Sequence, residues 1–296
     1  MILKYSDFEN KLNKILFEGS SADLLTKIAA FPDRYIGLFR PTKPKTKLIQ
    51  NITQSHEIKF GDALENIFED YFRALGFDIL EKRLLSTETN DNKEYNIDQL
   101  FKKGSIVYLI EQKVRDDHDS TKKSGQFQNF EAKYFEVSTK YAENKVIPIM
   151  WFIDDSLRKN RNFYLKQIEK MADFYGCEPK LYYGAEMFAG NENGIDDFPN
   201  EMWHEIINYL THWKKTLPDM PEINFDANSH AVFKELMKLS PSVYRKLFEN
   251  ESIREQILPI IFTKGTVLKM LRDYFSSKEE SAYKNIAIKI EEYLKK

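Results

Sequence analysis

Between residues 60 and 75 the apolar side chains Leu64, Ile67, Phe68, Tyr71, Phe72 and Leu75 repeat with the i, i+3, i+4, i+7 spacing of one helix face. Gly76 follows as the residue that stops such a helix. Upstream, 5–30 reads as one or two helices with a break and cap at Ser20-Ser21-Ala22-Asp23. The stretch RPTKPKTK then reads as a loop, because Pro41 and Pro44 favour extended backbone. Past Gly76 the period changes. Strands are expected over 77–85, 95–101 and 105–114, with Lys103-Gly104 as a hairpin turn between the last two. A helix over 124–142, a buried strand over 146–153, a helix over 160–175 and a strand over 180–187 complete this part. The order predicts an α/β fold with a mixed central sheet flanked by helices.

After residue 199 the pattern is wholly helical, over 199–215, 229–239, 241–249, 251–262, 264–276 and 279–295. Ser240-Pro241 reads as a cap and first helical residue. Pro218, Pro221 and the polar INFDANSH mark a boundary near 217–228. The expected division is 1–59 (helices and a basic loop), 60–217 (an α/β core) and 218–296 (a helical accessory or dimerisation region). No period of 20–50 residues repeats.

Composition narrows the class of molecule. The chain has 296 residues, 44 basic and 46 acidic, with 42% hydrophobic side chains. This is a globular balance, not a disordered, collagen-like or coiled-coil one. The single cysteine, Cys177, allows no internal disulfide and no cysteine zinc cage. The opening MILKYSDFENKL turns polar at once, and the longest apolar stretch, 146–153, is far short of the about 20 residues a bilayer needs. No membrane partner and a cytoplasmic setting are expected. The near-zero net charge conceals local bias. Residues 34–56 hold Arg34, Arg40, Lys43, Lys45 and Lys47 and no acid, and a second basic cluster is Arg158, Lys159, Arg161 and Lys166.

Candidate chemistry lies in YNIDQLF (95–101) and IVYLIEQK (106–113). Strand side chains alternate, so Glu111 and Lys113 share a face roughly 6–7 Å apart. The turn at Lys103-Gly104 can bring Asp98 beside Glu111. Two carboxylates and an ammonium on an apolar sheet are costly unless paired or bound to a metal. Such a trio suits phosphodiester hydrolysis with Mg²⁺: Asp98, Glu111 and the backbone carbonyl of Gln112 as oxygen ligands, Lys113 beside the attacking water. On the preceding helix Glu65 and Glu69 share a face. Glu65, next to the core-facing Leu64, is the better placed to join the site.

The arrangement of GDALEN on a helix, NID on a strand and YLIEQK on the next resembles the PD-(D/E)XK nuclease superfamily, especially its type II restriction endonucleases. The resemblance covers about residues 60–155. It implies a restriction-endonuclease-like core, Asp98 and Glu111 as metal-binding acids, Lys113 as the catalytic lysine and Glu65 as a further site residue. Isoleucine stands where the nominal motif has proline before its first acid. The Gln and Tyr one turn apart of helicase-associated relatives are absent, since Phe130 follows Gln126. A site-specific enzyme acting on double-stranded DNA, a homodimer and a cognate DNA methyltransferase in the same system are what the resemblance implies. Arg40, Lys43, Lys45 and Lys47, with Arg115, Ser120, Thr121, Lys122 and Lys123 just past the catalytic strand, are the expected DNA contacts.

Two alternatives stay open: a structure-directed repair or junction nuclease with the same site, and a DNA-binding module whose carboxylates are only structural. Other signals are weaker. His204 in HEIIN lacks the second histidine of a zinc protease motif. Asp116-Asp117-His118-Asp119 reads as a polar loop beside the site more readily than as a metal cluster. Trp203, Tyr209, Leu210 and Trp213 read as core.

Overall fold

A computed structural model describes residues 1–86, 93–190 and 194–295. The elements in chain order are α1 (Tyr5–Phe17), α2 (Ser20–Ala30), α3 (Pro44–Ala74), β1 (Asp78–Ile79), β2 (Arg83–Leu85), β3 (Glu94–Asn96), β4 (Gln99–Lys103), β5 (Ile106–Lys113), α4 (Ser120–Lys140), β6 (Lys145–Phe152), α5 (Arg161–Tyr175), β7 (Lys180–Tyr183), α6 (Asn200–Lys214), α7 (Ser229–Leu236), α8 (Pro241–Glu249), α9 (Glu251–Gln256), α10 (Leu258–Ile261), α11 (Thr266–Ser276) and α12 (Ser281–Leu294). This is the α/β class expected, with a mixed sheet and helical regions at both ends of the chain. Among the described residues no helix is long and apolar enough to cross a membrane.

The chain forms two compact units, one of residues 1–12 with 61–216, the other of residues 13–60 with 217–296. The first holds a five-stranded sheet in the order β1-β4-β5-β6-β7. β4 pairs antiparallel with both β1 and β5, and β5, β6 and β7 are parallel. The β4–β5 hairpin turns where the sequence places it. Lys103 pairs with Ile106, and Gly104 takes the left-handed conformation (φ 59°) that a side chain would oppose.

Phe127, Phe130, Tyr134 and Val137 of α4, with Tyr164, Ile168 and Met171 of α5, bury one face of the sheet against Leu100, Leu109, Met150 and Phe152. The opposite face receives the C-terminal half of α3. There Phe72 stacks on Phe101 at 4.1 Å between centroids, and Phe68 meets Trp151 edge-on at 4.6 Å. From α6, Trp203 stacks on Phe188, and Glu205 accepts the backbone N–H of Ile2 and Leu3 and the Tyr71 hydroxyl. The second unit is helical. Its core gathers Leu24, Leu25 and Ile28 of α2, Leu48 of α3, and Leu247, Ile261, Leu271 and Ile290 from the C-terminal helices.

Several local expectations are corrected. The basic stretch after Pro44 is not a loop, because α3 begins there and runs for 31 residues. Proline is well suited to a first helical position, where its missing N–H has no partner to lose and its φ is already helical. The expected cap at Ser20-Ser21-Ala22-Asp23 lies inside α2, and left-handed Gly19 stands before that helix. The strand expected over 77–85 divides into β1 and β2, and that over 95–101 into β3 and β4. β2 and β3 leave the main sheet to form a separate two-stranded ribbon, with the Ile97 N–H donating to the Lys82 carbonyl at 2.8 Å. Strand β7 is followed by a 3-10 turn over Gly184–Phe188, and the helix expected over 251–262 is two short ones.

Candidate active site

The apolar run of β5 is buried from Val107 to Gln112 and carries Glu111, only 2% exposed, near its C-terminal end. Pairing between β4 and β5 ends at Gln99 opposite Ile110, and the chain bends at Asp98. Beyond that bend the Asp98 carboxylate takes the place of a ladder partner. Its Oδ2 accepts the Gln112 N–H at 2.8 Å and the Lys113 ammonium at 2.8 Å. Lys113 also approaches Glu111 Oε1 at 2.8 Å and donates to the Gln112 carbonyl at 3.0 Å. Asp98, Glu111 and Lys113 therefore converge, together with the Gln112 carbonyl. The Gln112 side chain points to the opposite face, where Gln99 Nε2 donates to Gln112 Oε1 at 3.4 Å and to the Glu65 carbonyl at 2.7 Å.

A fourth charged group, absent from the sequence reading, completes the cluster. Lys133, from the middle of α4, places its ammonium 2.6 Å from Glu111 Oε2 and 3.5 Å from Asp98 Oδ1. The lysines differ in access: Lys133 has a 5% exposed side chain and Lys113 a 24% exposed one. Burial by itself lowers the Lys113 pKa, but Glu111 and Asp98 outweigh it and hold the ammonium charged well above the usual lysine range.

Residues 76–214 match the HinfI family of type II restriction endonucleases. The HinfI match takes in just under half of the chain, from Gly76 before β1 to the end of α6, and so contains Asp98, Glu111, Lys113 and Lys133. Glu65 and the basic stretch of residues 40–47 lie outside it. The match supports a type II nuclease. No curated protein and no solved structure matches the chain.

Glu65 lies on α3, and its carboxyl is pushed up to about 7 by burial first and by the Asp98 charge second, against the opposing pull of Lys113. Its folded pKa exceeds the ordinary value of 4.5, so protonation of Glu65 supports the fold below that value. This support is lost as pH rises through about 7. Glu65→Gln, which cannot ionise, is expected to melt like the wild type at pH 4.5 and above it at pH 8 in EDTA. The expected gain, discounted for the partial exposure of the site, is on the order of 1–2 kcal/mol. Parallel thermal melts decide it, and equal differences at both pH values would remove Glu65 from the electrostatics of the cluster.

The expected DNA contacts are dispersed. Arg40 is exposed and donates to the Asp33 carbonyl at 3.3 Å. Lys43 precedes α3, Lys45 is exposed in its first turn, and Lys47 donates to Gln50 Oε1 at 2.9 Å. All four belong to the helical unit. In the other unit Arg115 faces Asp154 at 3.7 Å. The segment 120–123 forms the first turn of α4, four residues earlier than the sequence predicts, because Asp119 caps it by accepting the Lys122 N–H at 2.9 Å. Thr121 and Lys122 are exposed, and the side chain of Ser120 lies outside the described residues. Lys123 is committed elsewhere, donating to Asn160 Oδ1 at 3.1 Å and lying over the Phe163 ring.

The acidic loop also separates into different roles. Asp116 is fully buried among Asn160 and Tyr183, Asp117 lies 3.7 Å from His118, and Asp119 caps α4. Among the described residues no three histidine, cysteine, aspartate or glutamate side chains are clustered to hold a metal ion. Asp98 and Glu111 are two carboxylates alone.

Proposed function

We propose that this chain is a sequence-specific double-stranded DNA endonuclease of a restriction system, hydrolysing phosphodiester bonds with Mg²⁺. The observation that carries the reading is the pairing of Asp98 and Glu111 around the ammonium groups of Lys113 and Lys133. Lys133 Nζ lies within 3.5 Å of an oxygen of each carboxylate. Two carboxylates and the Gln112 carbonyl are hard oxygen donors of the kind Mg²⁺ uses, so the donor set fits. When bound there, Mg²⁺ would lower the pKa of a water and neutralise charge on the phosphoryl group.

The rest is the work of the chain. Asp98 and Glu111 would bind the cation, and their attachment to adjacent strands fixes their separation before substrate arrives. Lys113, the more accessible lysine, would orient the attacking water and stabilise the developing oxyanion, a role suited to a permanently charged ammonium. Glu65, with a pKa near neutrality, would hold or release a proton at the edge of the site. Arg40, Lys43, Lys45 and Lys47 with Arg115, Ser120, Thr121 and Lys122 would contact the DNA backbone; Lys123 would join them only by leaving Asn160. A homodimer would match the two-fold symmetry of a palindromic site, and a cognate methyltransferase would protect the host DNA.

Incubation of the purified protein with unmethylated phage DNA, with Mg²⁺ or with EDTA, tests the reading on a gel. Discrete fragments are expected with Mg²⁺ and intact DNA with EDTA. A smear would overturn sequence specificity. Intact linear DNA beside cleaved branched DNA would replace the reading with a structure-directed nuclease.

A further inference from the structure

Lys133 and Glu136 are the charged side chains buried by a helix whose other buried side chains, among the described residues, are aromatic or aliphatic. Phe130, Tyr134 and Val137 from the same stretch of α4 lie in the core between helix and sheet, and Lys133 is buried among them at 4% exposure. A lysine there is costly unless its charge is matched, and it pairs with the two carboxylates of the cluster. Between them the two lysines engage all four carboxylate oxygens, with Lys113 on Asp98 Oδ2 and Glu111 Oε1, and Lys133 on Glu111 Oε2 and Asp98 Oδ1. The cluster thus balances two negative charges with two positive ones.

We infer that the Lys133 ammonium is a built-in counter-cation on carboxylate oxygens that a divalent ion would use, and that metal entry requires it to give up those contacts. The inference rests on the metal reading proposed above. Three features support it. Each ammonium spans one oxygen of each acid; Lys113 also donates to the Gln112 carbonyl and is the more exposed, whereas Lys133, with a 5% exposed side chain, is the one shut off from solvent. Glu111 is nearly inaccessible, so without a resident cation its charge would be buried against Lys113 alone. Lys133 comes from α4 and the acids from the β4–β5 region, so its long side chain can swing away without disturbing the strands that hold the oxygen donors. The resident ammonium neutralises the buried acids, and it weakens Mg²⁺ binding by competing for the same oxygens.

The test is titration calorimetry of Mg²⁺ into the full chain, without DNA, for wild type, Lys133→Met and Lys133→Arg. Lys133→Met is expected to bind Mg²⁺ more tightly by about tenfold or more, and Lys133→Arg, which keeps a cation, to stay within about threefold of wild type. Mg²⁺ affinity in Lys133→Met equal to or weaker than that of wild type would overturn the inference and leave the nuclease reading standing. Lys133→Arg binding as tightly as Lys133→Met would overturn it too, since charge would then be irrelevant. No binding to any of the three would overturn the metal reading and this inference with it. If Lys133→Met is too unstable for calorimetry, melting with and without Mg²⁺ replaces it. A larger Mg²⁺-induced rise than in wild type supports the inference, and an equal or smaller rise overturns it.

Discussion

Asp98→Asn is expected to lower the single-turnover rate of DNA cleavage by about 10³-fold or more while the protein stays folded. The asparagine keeps an oxygen to accept the Gln112 N–H, which Asp98 now receives at 2.8 Å, so the bend before β4 retains its anchor. What the change removes is one of the two carboxylates ion-paired with Lys113 and Lys133. A cation held between two carboxylates loses much of its binding when one becomes neutral, and the surplus positive charge of the lysines then repels it further. Asp98→Ala would mix this effect with loss of the hydrogen bond, so the amide variant is the cleaner one. Lys113→Ala is expected to cost about 10²–10⁴-fold by a different route, keeping both metal-binding carboxylates and slowing the chemical step. Quench experiments at saturating Mg²⁺, with melting curves to establish folding, separate the two. Cleavage by Asp98→Asn within about tenfold of wild type would remove this cluster from catalysis.

Why this cluster could be assembled from the sequence while one of its members could not is a matter of range. Glu111 and Lys113 are two residues apart on a strand, and a period of two puts them on one face whatever the rest of the fold does. Asp98 required one further step, the turn at Gly104, from which the register counts back to the residue next to Gln99. Lys133 lies 22 residues from Glu111, and nothing local in β5 points to it. A signal existed in α4 itself: Lys133 falls on the apolar stripe with Phe130, Tyr134 and Val137, and a charge on a core-facing stripe must have a partner.

The misread elements have similar causes. Residues 77–85 and 95–101 contain no glycine or proline, so the point where each strand changes partners is set by pairing and not by a turn residue of its own. Pro44 has two meanings, loop residue or helix start, and the 31-residue helix behind it decides for the second. The gathering of 13–60 with 217–296 in one helical core depends on contacts between distant segments, which amphipathic periodicity in either segment cannot specify.

Asp116→Ala is expected to destabilise the protein by about 3 kcal/mol or more, a fall of roughly 6–12 °C in melting temperature for the unit that contains it. The Asp116 side chain is fully buried three residues past Lys113, where β5 leaves the sheet. Its Oδ2 accepts the Asn160 N–H at 2.7 Å and the Tyr183 hydroxyl at 2.9 Å, and its Oδ1 accepts Asn160 Nδ2 at 2.8 Å. These bonds tie the exit of β5 to the start of α5 and the end of β7. Burial, then Asp116 itself, pushes the Tyr183 phenol far above its ordinary pKa, so that hydroxyl stays a donor throughout the working pH range. Alanine would take the acceptor from the buried Asn160 N–H and Tyr183 hydroxyl and leave Asn160 Nδ2 with the His118 carbonyl, which costs more than the mean worth of the bonds lost. Asp116→Asn retains an acceptor and should recover part of the loss, with Tyr183→Phe milder still because it removes donor and need together. Urea and thermal unfolding of the three variants give the order. An Asp116→Ala protein melting within about 2 °C of wild type would mean that this buried carboxylate does not fix the strand exit. Cleavage should fall with Asp116→Ala only as the folded fraction falls, and should return on cooling. The Asp98→Asn defect persists at every temperature at which the fold is intact.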